Sequence, residues 1–144
     1  MNSSQTLTKD QFVKRLVNLC LRSGLTGFLR DETDQQIILK SAVVMMRDLD
    51  AVTEQEINQK LGLWIAQVCP IKGLDRVTLR RRLVDAGFLT RSSDGARYSV
   101  VQSGRQPGYF DGDVDDIDVM ETIRAAREEM ERRKREFLSR GKGA

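Results

Sequence analysis

The chain has 144 residues, 40% hydrophobic and 31% charged, with a formal net charge of +3. That balance suits one globular domain with a modest core and a solvated extension, and no apolar run reaches the length needed to cross a bilayer. The sequence has no histidine and two cysteines, which excludes Ser-His and Cys-His nucleophilic pairs, imidazole zinc sites and a four-cysteine zinc site.

In chain order, residues 1–7 read as a disordered arm, and MNSSQTLTKD lacks the basic-then-apolar pattern of a signal peptide, so the expected location is the cytoplasm. Thr8 with Gln11 resembles a capping box, and Phe12, Leu16 and Leu19 recur on one helical face up to about Leu21. Ser23 to Thr33, with Gly24 and Gly27, reads as a linker. Asp34 is the expected start of the next helix, whose buried side draws on Ile37, Ile38, Val44 and Met45. Asp48 to Val52 reads as a short connection. Thr53 and Glu56 form a second capping box, opening a helix through Ile57, Leu61, Trp64, Ile65 and Val68, with Trp64 as a core residue. Pro70 and Gly73 break that helix.

The stretch from Asp75 to Val101 is the most informative. Asp75 is the expected N-cap, Val77, Leu79, Leu83 and Val84 fall near helical spacing, and Gly87 can take the left-handed conformation that ends a helix. Phe88-Leu89 opens a strand, Ser92-Ser93-Asp94-Gly95 is turn chemistry, and Tyr98 to Val101 returns as the partner strand. A helix feeding a β-hairpin is the ending of a winged-helix domain.

Beyond it, Gln102 to Gly112 reads as a polar linker with Tyr109-Phe110 as an apolar anchor, and Val114 to Ser139 as a long helix. The expected organisation is an N-terminal arm and helix (1–23), a winged-helix-like domain (24–101), a linker (102–113) and a charged C-terminal helix and tail (114–144). The fold class is mainly α with a small β-hairpin.

Three segments together resemble a bacterial domain family of unknown function: GLTGFLRDETDQQIILKSAVV, the helix start TEQEINQKL, and DRVTLRRRLVDAGFLTRSSDGARYSV. The most specific signature is D-x-x-T-L-R-R-x-L-V-D-x-G-F-L-x-R-x-x-D-G-x-x-Y, carried here from Asp75 to Tyr98. The family usually has proline where this chain has Leu29, and a shorter connection than GLWIAQVCPIKGLDR before the signature helix. Members occur alone or fused to arsenic-repressor-type winged-helix regulators. The resemblance implies a winged-helix-like fold and a regulatory association. It implies no ligand, operator or catalytic activity.

The charge distribution points to a partner. Residues 76–97 hold six arginines and two acids, a net +4, whereas 111–121 hold six acids and no base. In a helix-turn-helix the second helix enters the major groove with its N-terminal part near the base edges. Arg76, Thr78, Arg80 and Arg81 are the candidates on that helix, and Arg91 and Arg97 flank the hairpin turn as a wing would. Arg80, Arg81 and Arg82 are consecutive and span about 200° of helix surface, so at least one is expected to pair within the chain, with Asp85 or an acid of the preceding helix. The expected partner is double-stranded DNA. The alternative is a protein-interaction module that spends the same arginines on salt bridges. Tyr98 reads as a packing residue rather than a base-stacking platform.

Val119, Ile123, Met130 and Phe137 fall close to heptad positions in the last helix and are the candidate dimerisation residues. Its acids precede its bases along the chain, which favours antiparallel pairing of two copies. No glycine-rich phosphate loop, nucleotide fingerprint or EF-hand pattern occurs, and Cys20 and Cys69 read as reduced core residues. The expectation is a non-enzymatic protein without cofactor or metal.

Overall fold

The computed structural model describes residues 6–21, 31–108 and 110–142. The elements are α1 (Lys9–Leu21), α2 (Glu32–Met45), β1 (Val52–Thr53), α3 (Glu54–Gln67), α4 (Arg76–Ala86), β2 (Leu89–Arg91), β3 (Arg97–Val100) and α5 (Val119–Lys142). Two short 3₁₀ turns, Ser103–Arg105 and Gly112–Asp116, join β3 to α5. This is a mainly helical, winged-helix-like fold with an extra helix before it and a long one after it. Among the described residues no helix is long and apolar enough to cross a membrane.

The helix starts at Thr53 and Asp75 are as the sequence predicts. Thr53 makes both arms of its capping box with Glu56, and the Asp75 carboxylate accepts from the Thr78 N–H at 2.7 Å. The start of α2 differs from expectation. Asp31 is its N-cap, accepting from the Asp34 N–H at 2.9 Å, and the Asp34 carboxylate is left to pair with Arg15 at 2.7 Å. Two aspartates three residues apart offer the same cap signal, and the Arg15 contact draws off the second. Most of the 23–33 linker lies outside the described residues.

The 48–52 connection also differs, because its end is β1. Val52 and Thr53 pair antiparallel with Tyr98 and Arg97, giving a three-stranded sheet in the order β1-β3-β2. Two residues are too few to display a period-two pattern. The strand is positioned instead by Ser99, whose hydroxyl accepts from the Ala51 N–H at 2.8 Å and donates to Asp50 at 2.9 Å. On the other edge β2 pairs with β3 in the register Leu89 to Val100 and Arg91 to Tyr98.

One core runs from Phe12 to Ile123 and takes in α1, the winged-helix elements, Val114 and Ile117 of the connecting segment, and the first turns of α5. Helix α2 is buried all round from Ile37 to Val44 because α1, α3, α5 and the 112–116 turn surround it. Trp64 is fully buried, and its indole N–H donates to Ser41 Oγ at 3.0 Å. The polar segment 102–113 is held in place. Lys40 on α2 is 2% exposed and its ammonium reaches Gln106 at 2.5 Å and Asp115 at 2.7 Å. Ser103 donates to the same Asp115, Gln106 donates to the Val101 carbonyl at 2.8 Å, and the Phe110 ring meets Phe12 edge-on at 5.6 Å.

Helix α5 starts later than the sequence pattern suggests. Asp118 caps it by accepting from the Glu121 N–H at 3.1 Å, and residues 112–116 form a 3₁₀ turn instead. Aspartates favour caps and turns over helix interiors, and this stretch has four between 113 and 118.

Candidate nucleic-acid interface

Helices α3 and α4, with the sheet behind them, form the helix-turn-helix and wing. Leu79 and Leu83 seat α4 in the core. Its end is fixed by Gly87 at φ 92°, with the Phe88 N–H returning to the Leu83 carbonyl at 2.9 Å. The chain therefore leaves α4 directly into β2, as a wing requires.

The six candidate residues do not share one fate. Arg80 is turned inward: its side chain is 15% exposed, its guanidinium donates to Asn58 Oδ1 at 2.5 Å, and it pairs with Glu54 at 3.3 Å. This is the intramolecular pair with an acid of the preceding helix that three consecutive arginines demand. Arg91 folds back over the hairpin turn, donating to the Gly95 carbonyl at 3.1 Å. Gly95 has φ 75°, a left-handed conformation that favours glycine, and a Cβ there would sit 2.8 Å from the Arg91 guanidinium. Arg80 and Arg91 both lie over the ring of Tyr98, at 5.4 and 5.8 Å, and Tyr98 is 2% exposed. Tyr98, on β3, thus packs against Arg80 of α4 and Arg91 of β2, and the contact gives α4 and the sheet one common anchor.

Arg76 and Arg81 are exposed on α4, Thr78 is half-buried, and Arg97 is exposed on β3, where it reaches the Ala51 carbonyl at 3.4 Å. Acids border this face. The Asp75 carboxyl is held below its ordinary range by the N–H and hydroxyl of Thr78, and that of Asp94 by the Ser92 hydroxyl and the Ala96 N–H. Both are committed to capping and turn bonds.

The candidate dimerisation stripe divides. Val119 and Ile123 lie in the chain's own core, at 2% and 0% exposure, while Met130 and Phe137 are exposed at 46% and 75%. From Glu131 to Gly141 every residue of α5 is exposed. That half carries the ion pairs of Arg132 with Glu129 and Glu136 and of Arg133 with Glu129, which support a solvated helix.

Two features lie away from the arginines. A cleft of about 1120 Å³ runs between the starts of α1 and α2 and Pro107, Gly108 and Phe110, and the Gln36 Oε1 that borders it is buried without a hydrogen-bond partner among the described residues. Cys20 and Cys69 are buried free thiols, and the hydrogen bond between them, with burial, pushes the Cys20 pKa up, the opposite of an activated nucleophile. Among the described residues no group of three or more acids and cysteines is placed to hold a metal ion.

Residues 24–100, more than half of the chain, match the family described as uncharacterized protein conserved in bacteria (DUF2087). No curated protein and no solved structure matches the chain. The match covers the elements from the approach to α2 through β3, the helix-turn-helix and wing, and the chain belongs to this uncharacterized bacterial family.

Proposed function

We propose that the chain is a non-enzymatic, DNA-binding transcriptional regulator whose α4 enters the major groove while the β2–β3 hairpin lies along the backbone. One observation carries this reading: α4 presents Arg76 and Arg81 outward, next to a wing with exposed Arg97, on the helix and strand order α2-β1-α3-α4-β2-β3. Two copies meet through the exposed half of α5, with Met130 and Phe137 as its apolar contacts. The pairing brings two winged domains to paired half-sites.

A titration of random-sequence duplex DNA at several salt concentrations tests the reading. The expected result is binding at low salt that weakens steeply as salt rises. Absence of duplex binding at low salt refutes it. The second reading, a winged-helix module that binds protein, draws on the Arg80–Glu54–Asn58 cluster, which turns one arginine of the triplet to structural use. It predicts no duplex binding at any salt concentration.

A further inference from the structure

The outward face of α4 carries a chemical pattern that packing does not require. Val77 is 42% exposed in the first turn of the helix, and Arg81 is exposed one turn later. Residues four apart are neighbours on a helix surface, so the two side chains leave the same face of α4. A lone exposed valine is ordinary. This one shares its face with an arginine that has no partner among the described residues, on the helix whose preceding arginine is turned inward. Asp85, a further turn on, closes the face with a charge that repels phosphate.

The pair matches two features of the major groove. The guanidinium fork fits O6 and N7 of guanine, and the only methyl group there is the 5-methyl of thymine, which takes apolar contact. We propose that Val77 and Arg81 are the specificity-determining residues, reading a thymine and a guanine respectively. This rests on the DNA-binding reading above. Four residues of helix rise about 6 Å. Base pairs repeat about every 3.4 Å. The two bases therefore lie within about two steps of each other.

The test uses the full chain. Duplexes are first selected from a random library. Each thymine of the selected site is then replaced by deoxyuridine, which removes only the 5-methyl, and each guanine by 7-deazaguanine, which removes only N7. For the native chain one thymine position should lose affinity several-fold and one guanine position within two steps of it about tenfold. Val77→Ala should abolish the first sensitivity and leave the second, and Arg81→Ala the reverse. Both side chains are exposed, so the variants should melt as the native chain does. Salt-dependent binding with no sensitive position, or sensitivities that survive both substitutions, overturns this inference and leaves the DNA-binding reading standing. No duplex binding at low salt overturns both.

Discussion

Lys40 and Asp115 offer a test of whether the segment between the wing and α5 is part of the fold. The Lys40 side chain is 3% exposed and Asp115 is 26% exposed. Removing one partner of a buried pair costs about 3–5 kcal/mol, because a charge is left in the core. Asp115→Ala strands the ammonium, but Gln106 and the face of Phe110 still meet it, so the cost should fall at the low end, about 3 kcal/mol. Lys40→Met keeps the stem and removes the charge. Asp115 then retains Ser103 and water, and the cost should be about 1 kcal/mol. Urea unfolding followed through the single, buried Trp64 would measure both. Lys40→Met costing as much as Asp115→Ala, or both being neutral, would refute the reasoning. There is a pH arm as well. Burial pushes the Asp115 carboxyl up, but hydrogen bonds from Lys40 and Ser103, with the charges of Lys40 and Arg47, hold it below its ordinary value. A depressed carboxyl contributes stability above its unfolded pKa of about 3.9. The native chain's advantage over Asp115→Asn should therefore be complete near neutrality and fade as pH falls through the folded-state value.

Leu83→Ala and Leu89→Ala should each destabilise by about 2–5 kcal/mol, since both side chains are buried, and a loss well under 1 kcal/mol in urea unfolding would contradict their place in the core. Arg80→Ala should cost about 1–3 kcal/mol of stability through Asn58, Glu54 and Tyr98, whereas Arg81→Ala should leave the melting temperature unchanged, and equal effects would deny their separation. Truncation after Phe110 removes Val114, Ile117, Val119 and Ile123 from the core and should unfold the protein by circular dichroism. Truncation after Glu131 should preserve the fold while converting a dimer to a monomer by light scattering, and a full-length monomer at high concentration would end the dimer proposal.

The elements with local signals were legible in the sequence. The Thr53 capping box, the Asp75 cap, Gly87 and the SSDG turn each satisfy their backbone groups within a few residues, so a single chain displays them. What was not legible depends on distant partners. Strand β1 exists because β3 offers it an edge some 45 residues later. The burial of Lys40 requires Asp115, 75 residues away. The stripe on α5 reads as one surface from spacing alone, yet only its first turns meet α1, α2 and α3, so pattern could not divide Val119 and Ile123 from Met130 and Phe137. At the candidate site, the helix and wing were found by pattern, and spacing required one of the three consecutive arginines to turn inward without saying which. That Arg80 faces Glu54 and Arg91 faces Gly95 required the fold.

This division of the arginines changes the expected electrostatics. By count, residues 76–97 offer six guanidinium groups to a polyanion. Arg80 is neutralised by Glu54 and held over the ring of Tyr98, and Arg91 is folded over its own turn, so neither is extended toward a duplex. Of the other four, Arg82 is exposed but has an interaction of its own within the chain, and Arg76, Arg81 and Arg97 are exposed on the helix and strand that would meet a duplex, Arg81 at a guanine and the other two at phosphates. Each phosphate neutralised contributes about 0.9 to the slope of log affinity against log salt. Two phosphate contacts give a slope of about 1.8 per bound chain, where six would give about 5.4. Arg80→Ala should therefore leave the slope nearly unchanged in the fraction that stays folded, and Arg97→Ala should reduce it by about 0.9. Anisotropy titrations on one half-site duplex, in steps of salt, distinguish the two values. A slope near 5 that falls on replacing Arg80 would mean that its contacts with Glu54 and Asn58 open when DNA binds, and that the inward arginine is a reserve for the complex instead of a brace for the fold.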